Sequence, residues 1–503
     1  MASLEEIRIE REKKLKLYEE KRGSAYPAKT SRDFQLNEVV DTFDKLLKRT
    51  KPTSIAGRVM SLRPQGKIVF FHIDDGTGRF QGFLKKAGGP EHAEGGKNKG
   101  ITDEDFDLFS NTVDVGDFVE ITGKLFLTKR NEKTLEVKNW RMLSKALRQL
   151  PEKWHGLQDM EERFRHRYLD TLMNEDVKGR FLRRAKMVEA IREFYLKDGF
   201  VEVEVPYLQP LAGGATARPF TTHHNAFDID FYLPVAQELY LKELLVGGFT
   251  KVFEIGRRFR NEGIDVTHNP EFTMLESNES YADKDSQMEF IEKLFKFVVK
   301  KVIDKTAISY DGQSIDFKKK FAVVTFYDLL RTHALISNPE EITRDEAKNT
   351  ALRLGVDVAP SESLEKILDS IYKKVVRHKL IQPTFIIDYP VAMNPFAKRK
   401  ENDPSLIDRF QLVVGGMELV NAFSELNNPI DQKERYSAED KKKEGGEHEI
   451  SPSDLEYLES MEYGMPPNGG IGIGIDRLAM LLTDVKNIRE VILFPTLRPR
   501  VKE

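Results

Sequence analysis

The stretch Gly469–Arg477, GGIGIGIDR, decides how the rest of the chain is read. Gly470, Gly472 and Gly474 alternate with Ile471, Ile473 and Ile475, which is the period of a β-strand. A phosphate loop entering a helix has a different glycine spacing and is excluded. One face of this strand is bare backbone and the other an apolar row. With no Cβ in the way, a flat ligand can lie directly against the main chain. Asp476 and Arg477 then open an apolar helix, LAMLL, which places Arg477 to reach an anionic group at the strand's end. A tightly packed glycine strand in a crowded sheet has the same pattern, so the neighbours must decide.

They lie in two other segments. KVFEIGRRFRNEGIDVTHNPEF reads as a strand over 251–262 whose end carries Arg260 and Glu262 on one side, a cation and a carboxylate suited to a phosphate and an amine. His268 and Asn269 follow in a loop closed by Pro270, and the next strand supplies Phe272, a candidate aromatic cover. With the glycine strand these compose a nucleotide box: flat floor, ring above, Arg260 and Arg477 on phosphates. In MELVNAFSELNNP the residues Asn421, Phe423 and Glu425 share a strand face near Glu418, a set that can hold a metal, a polar head and an aliphatic stem.

The chain has 503 residues, enough for two or three domains with a sizeable core. Lys and Arg number 79 against 82 Asp and Glu, so net charge points to neither a polyanion binder nor a membrane surface, and any such site must be a local patch. The absence of cysteine removes disulfides, thiolate zinc sites and cysteine nucleophiles together, and suits a reducing compartment. No run of 18 apolar residues occurs, and Glu5 and Glu6 stand where a signal peptide would need an apolar core, so a soluble cytoplasmic protein is expected.

Organisation follows composition. Residues 3–22 mix both charges at helical spacing and predict an exposed helix stopped near Gly23. From Ser54 to Leu143 come five short strand-like runs, which suggests a small closed barrel of the OB type interrupted by the loop 87–100. Phase puts Val69, Phe71 and Ile73 on one face, and Phe70 and His72 on the other beside Arg79 and Gln81, with Arg58 a candidate from the preceding strand. An aromatic beside an amide and arginines suits single-stranded bases. After Pro151 one long region mixes helices and strands. A helix over 179–198 carries Leu182, Ala185, Val188, Ile191 and Tyr195 on a stripe, then FVEVEVP alternates as a strand. Residues 320–381 read as a helical insertion, and 440–449 as a charged surface loop. The expected fold is therefore α+β and multidomain: a charged N-terminal extension (1–50), a barrel domain (51–148) and a large second domain (149–503).

Taken in chain order, these segments resemble the class II aminoacyl-tRNA synthetases, and among them the lysyl-tRNA synthetases. The helix and strand ending at Pro206 resemble motif 1 of the class, FRNE at 259–262 motif 2, and GIGIGIDR at 470–477 motif 3. AGGATARPF at 212–220, the segment 222–242 and NAFSELNNP at 421–429 are similar to lysyl-type signatures. The likeness runs from about Ser54 to Arg500 and implies an anticodon-binding OB barrel before a catalytic domain built on an antiparallel sheet.

It also implies roles. Arg260 would bridge the ATP α-phosphate and the lysine carboxylate. Glu262, His268 and Asn269 would sit at the nucleotide, Phe272 would stack on adenine, the backbone of Gly472 and Gly474 would floor the site, and Arg477 would hold the γ-phosphate. Gly214 and Glu238 would take the α-amino group, Glu276, Asn278 and Asn421 would help hold the substrate, Phe423 would line its stem, and Glu425 would pair with the ε-ammonium. Arg58, Phe70, His72, Arg79 and Gln81 would meet the anticodon. Magnesium is implied as cofactor with ATP, and a homodimer through the motif 1 helix. Two positions depart from the family pattern. Asn278 stands where a tyrosine is usual, and Gln411 where a metal-binding glutamate is usual, so magnesium would lean on Glu418 and the phosphates. Other readings of the same motifs are an aspartyl- or asparaginyl-type synthetase, for which Glu238 and Glu425 have the wrong charge, and a non-catalytic tRNA-binding or signalling paralogue.

Overall fold

The structure, a computed structural model, describes residues 3–86, 101–151, 159–215, 217–359, 362–444 and 452–500. The chain forms two compact units, Met1–Gly156 and Leu157–Glu503. Among the described residues no helix is long and apolar enough to cross a membrane.

In the first unit the five runs become β1 (Thr53–Gln65), β2 (Ile68–Asp74), β3 (Arg79–Lys85), β4 (Phe118–Leu127) and β5 (Lys133–Ser144), closed in the order β1-β2-β3-β5-β4. All pairs are antiparallel except β3 with β5, which closes the ring. Val69, Phe71 and Ile73 point inward and are buried, as their phase requires. Gly82 is needed there, because a Cβ would stand 2.4 Å from the Phe71 ring. The helix Asp103–Thr112 presents Phe109 to Phe71 and Trp140, with ring centroids 5.1 and 5.0 Å apart. The N-terminal helix Leu4–Arg22 starts at a Ser3/Glu6 capping box and stops at Gly23, whose φ of 78° suits glycine. It is less exposed than its charge suggests. Tyr18 packs on Trp140, and Arg11 donates to the carbonyls of Val115, Ala146 and Arg148. The loop expected at 87–100 lies outside the described residues.

The second unit is built on an eight-stranded sheet. Its strands are β6 (Val201–Glu202), β9 (Lys251–Phe259), β10 (Glu271–Ser280), β13 (Ala322–Thr325), β14 (Thr384–Pro390), β15 (Leu406–Val414), β16 (Met417–Ser424) and β17 (Asn468–Gly474). A hairpin of β7 (Thr221–His224) with β8 (Ile229–Tyr232), and another of β11 (Ala307–Tyr310) with β12 (Gln313–Asp316), stand apart. The sheet order is β13-β14-β15-β16-β17-β10-β9-β6, antiparallel except at its two edge pairs. One face is covered by the helices Glu175–Lys197, Lys284–Ile303 and Ile475–Thr483. Ile471, Ile473 and Ile475 are buried there with Ile191, Tyr195 and Phe295. Each such isoleucine contributes about 1.5–3 kcal/mol, so this core pins the register of β17.

Several expectations change in detail. The strand over 251–262 ends at Phe259, where Arg260 N–H bonds to the Pro270 carbonyl and leaves the sheet. FVEVEVP gives only the two-residue edge strand β6. The insertion is helical, in Phe326–His333, Arg344–Arg353 and Leu364–Ile371, but it opens with β13, which extends the central sheet. Residues 440–444 continue the helix Pro429–Glu444, and 445–449 lie outside the described residues. The stripe on Glu175–Lys197 is rotated toward Met187, Ala190, Ile191 and Tyr195, which pack into the unit's own core, while Leu182 is 61 % exposed. The sequence places an apolar stripe; only the neighbouring helix Lys284–Ile303 settles which side it covers.

Candidate active site

The opposite face of the sheet carries the candidate residues, and register brings them together. Glu276, Gly472 and Asn421 are cross-strand partners, continued by Glu254 on β9 and Gln411 on β15. The next row on that face holds Asn278, Gly470, Phe423 and Arg409. β17 runs down the middle as a floor. At Gly472 an added Cβ would meet the Met274 methyl at 3.2 Å, the end of a flexible side chain, so only that side chain limits access to the bare backbone. Gly470 differs: a Cβ would lie 1.9 Å from Glu425 Oε1, so this glycine lets a carboxylate cross the floor.

Arginines gather at one end of the floor. The Arg260 guanidinium lies 5.2 Å from the Phe272 ring centroid, and its Nε is buried without a partner in the protein. Arg477 donates to the Glu418 carbonyl at 3.1 Å and sits 3.1 Å from His268 Nε2. Burial lowers its pKa and the Glu418 charge raises it, while Arg377 and Arg260 lower it further by repulsion. Clustered cations, one with an unpaired donor, suit an anion that arrives from outside. The floor is tied to both flanks by Asp476, which accepts from the Thr273 N–H at 2.7 Å and from Arg184 at 2.6 Å. His268 is held by Asp265 at 2.8 Å. Glu262 is exposed, and Asn269 is buried with its Nδ2 on the Glu271 carbonyl and its Oδ1 unpaired.

At the other end the carboxylates are already engaged. Glu425 is 1 % exposed; Lys242 donates to its Oε2 at 2.9 Å and Asn278 to its Oε1 at 3.1 Å. Lys242 also donates to Glu238 Oε1 at 2.6 Å. Glu276 Oε2 accepts from Arg258 and from the Gln237 N–H, the Arg258 fork reaching Glu254 as well. Burial raises the pKa of Glu238 and Glu425, and Lys242 pulls both back down. Gly214, with φ of 84°, places its backbone against Glu238, whose Cβ would be 3.7 Å from an added methyl. Phe423 is buried. Asn421 Oδ1 accepts from Arg409 Nε at 2.8 Å, and Gln411 Oε1 from the Tyr389 hydroxyl at 2.8 Å.

Sequence reasoning gave Lys242, Arg258, Arg377 and Arg409 no role. A signal existed for the first: in ELYLKELLV the buried residues are Leu239, Leu241, Lys242 and Leu245, so a lysine falls on the apolar side of a short helix. Arg258 shares the β9 face of Glu254 and Gly256, again legible by period. Arg377 comes from the insertion and carries no local signal.

For a metal, no cluster of three His, Asp or Glu side chains is present among the described residues. Glu418 is one carboxylate beside the arginine cluster, and the Gln411 amide oxygen already accepts one hydrogen bond. This donor set fits an ion that arrives already bound to phosphates, with Glu418 completing its shell.

On the barrel, the candidates spread along its outer face. Phe70 pairs with Phe83, ring centroids 4.8 Å apart, and Phe83 with Phe126 at 5.8 Å. Arg63, cross-strand from Phe70, is exposed and was missed. His72 bonds Ser61 and Glu132. Gln81 is buried, its amide on Thr134 Oγ1 at 2.8 Å, which corrects its reading as a surface base contact. Arg58 and Arg79 lie at the other end of the strands around Asp74; Arg58 stacks on Phe118 at 4.3 Å and Arg79 bonds Asp74 at 2.9 Å.

Comparison with known proteins agrees with this architecture. Residues 53–143 match the OB-fold nucleic acid binding domain, and residues 159–498 match the tRNA synthetases class II (D, K and N). The chain belongs to that class II tRNA synthetase family. Among its relatives, a lysine–tRNA ligase of Pelotomaculum thermopropionicum is 44 % identical, covering 98 % of this chain and 95 % of the relative. Lysine–tRNA ligases of Roseiflexus sp. (45 %; 94 % and 95 % covered) and Thermotoga maritima (42 %; 97 % and 96 %) are also similar over nearly the whole chain.

Proposed function

We propose that this chain is a lysine–tRNA ligase: it activates L-lysine with ATP to lysyl-adenylate, releasing pyrophosphate, and then esterifies the 3′ end of the lysine tRNA. The observation that carries this reading is Glu425, a buried carboxylate lying across Gly470 at the end of the floor away from Arg260. A carboxylate there favours a substrate with an ammonium at the end of its side chain. A neutral side chain would bring no charge to the oxygen that Lys242 leaves unused, and an acidic one would be repelled by it. The ligase names of relatives alike over nearly their whole length support the same choice.

In the proposed reaction the lysine carboxylate oxygen attacks the α-phosphorus; the new carboxyl–phosphorus bond forms as the bond to pyrophosphate breaks. No protein nucleophile is required. Arg260 bridges the two anions and stabilises charge that builds between them. Arg477, with His268 on its guanidinium, holds the departing phosphates. Glu262 and Asn269 hold adenosine, which Phe272 covers over the floor of Gly472 and Gly474. Glu238 and the carbonyl of Gly214 accept the α-ammonium, Asn421 the carboxylate, and Phe423 lines the stem. Glu418 would hold magnesium carried by ATP, which would supply positive charge at the phosphates. On the barrel, Phe70 stacks on an anticodon base with Arg63 and His72 beside it. A homodimer uses the exposed side of Glu175–Lys197, where Leu182 and Leu196 remain uncovered. The reaction is assigned to the cytoplasm, in keeping with a cysteine-free chain.

The test is ATP–pyrophosphate exchange with each of the twenty amino acids. Stimulation by lysine alone is the expected result. Stimulation by aspartate or asparagine selects the related specificities, and no exchange with any amino acid leaves tRNA binding without catalysis.

A further inference from the structure

We propose that Lys242 is a positioning residue for the amino-acid substrate, an internal ammonium that fixes Glu238 and Glu425 as charged acceptors. The proposal rests on the reading of lysine as substrate and adds to it a charge balance. Lys242 Nζ is wholly buried between Glu238 Oε1 and Glu425 Oε2, 2.6 and 2.9 Å away, so each carboxylate keeps one oxygen that Lys242 does not use. Below it lie the rings of Phe396 and Tyr457, with centroids 5.0 and 5.2 Å from Nζ. The ammonium is thus held from three elements besides its own helix and cannot swing away.

The charges around it do not balance. Glu238, Glu276, Glu254 and Glu425 are four buried or mostly buried carboxylates, and the cations bonded to them are Lys242 and Arg258. With all four ionised, two positive charges are lacking, the number that the α- and ε-ammonium groups of lysine bring, while its carboxylate goes to Arg260. A purely structural buried triad gains from complete pairing, and one left short of cations is costly unless a ligand completes it. Without Lys242, Glu238 and Glu425 would face each other across the pocket with no cation between them and would take up protons, losing the acceptors that select the substrate. The other groups facing this cluster are Tyr457, Tyr436, Asn278 and the Glu276–Arg258 pair. None of the first three brings a positive charge, and Arg258 is committed to Glu254 and Glu276.

The test uses the full chain and lysine-dependent ATP–pyrophosphate exchange between pH 6.5 and 9. Lys242→Met keeps the length and removes the charge. The expected result is a lysine KM raised about 100-fold at pH 7, falling steeply as the pH rises and the carboxylates ionise, with the ATP KM within about threefold of the parent. The parent should show a much flatter profile. A lysine KM that is unchanged, or raised equally at every pH, overturns the proposal, since loss of packing alone carries no pH signature. Should Lys242→Met not fold, Lys242→Arg keeps the charge and must keep the flat profile of the parent; a steep one is equally fatal. If the parent itself shows no lysine-dependent exchange, it is the substrate reading that fails.

Discussion

The two ends of the glycine floor solve opposite electrostatic problems in opposite ways. At the arginine end, Arg260 and Arg377 each repel Arg477, and Arg260 Nε has no protein partner. At the carboxylate end, Glu276, Glu238 and Glu425 all have internal cations. Clustered cations stay charged because an arginine does not give up its proton, so an unpaired donor among them can await an anion. Carboxylates in a closed pocket cannot, because an unpaired buried acid takes up a proton and ceases to be an acceptor. On the proposed reading, the phosphate site is made by leaving charge uncompensated, and the amine site by compensating it in part.

This comparison can be broken experimentally, first at its strongest point. Arg260→Ala should lower ATP–pyrophosphate exchange by about 10²–10³ or more, the usual cost of removing a preorganised transition-state contact; exchange near the parent rate would show that the free guanidinium has no catalytic task. Glu425→Gln should raise the lysine KM by about 100-fold with little change in the ATP KM, because a charge-assisted bond in a closed pocket is lost. Equal shifts in both constants would merge the two ends into one. Gly472→Ala sharpens the floor itself: its methyl would press Met274 at 3.2 Å and stand where a flat ligand lies, so the ATP KM should rise about tenfold while melting changes little.

Two smaller effects test the surroundings. Phe70→Ala should weaken tRNA charging about tenfold and spare adenylate formation, in line with about 1–3 kcal/mol for a stacked base; equal loss in both assays would remove the barrel from recognition. Glu243 lies beside a cavity of about 340 Å³, its pKa raised to about 7 by burial and by Asp454 and Glu456. Folding therefore takes up a proton between about pH 4.5 and 7, and stability is lost as the pH rises through that window. Glu243→Gln should melt higher than the parent at pH 8, by on the order of 1 kcal/mol after allowance for its partial exposure, and equally at pH 4. Identical melting at pH 8 would show that Glu243 ionises there freely.

Much of this was legible from local period. The five barrel strands, the helix stopped at Gly23 and the glycine strand opening a helix all follow from alternation and caps, which are properties of neighbours in sequence. Phe71 inward and Phe70 outward follow in the same way. Gln81 did not: its phase puts it outside, but the parallel partner strand β5 brings Thr134 against it. The direction of the stripe on Glu175–Lys197 was also missed, since several rotations of a mostly polar helix bury a similar row. Among the site residues, the arginines, Phe272 and Glu425 were named from motif and period, whereas Arg377 reaches the site from an insertion with no local mark.

What the sequence by itself determined is the strand period of Gly469–Arg477, the residue types beside it and, through motif order, the family. Those depend on spacing along the chain, which folding does not alter. What only the tertiary structure decided is which groups share a row. The order β15-β16-β17-β10-β9 sets Gln411, Asn421, Gly472, Glu276 and Glu254 side by side although they span more than two hundred residues. It also brings Glu425 over Gly470 onto Lys242. Cross-strand register and helix docking are settled by burial of the opposite, apolar face, so the charge balance of the pocket exists only once that core has formed.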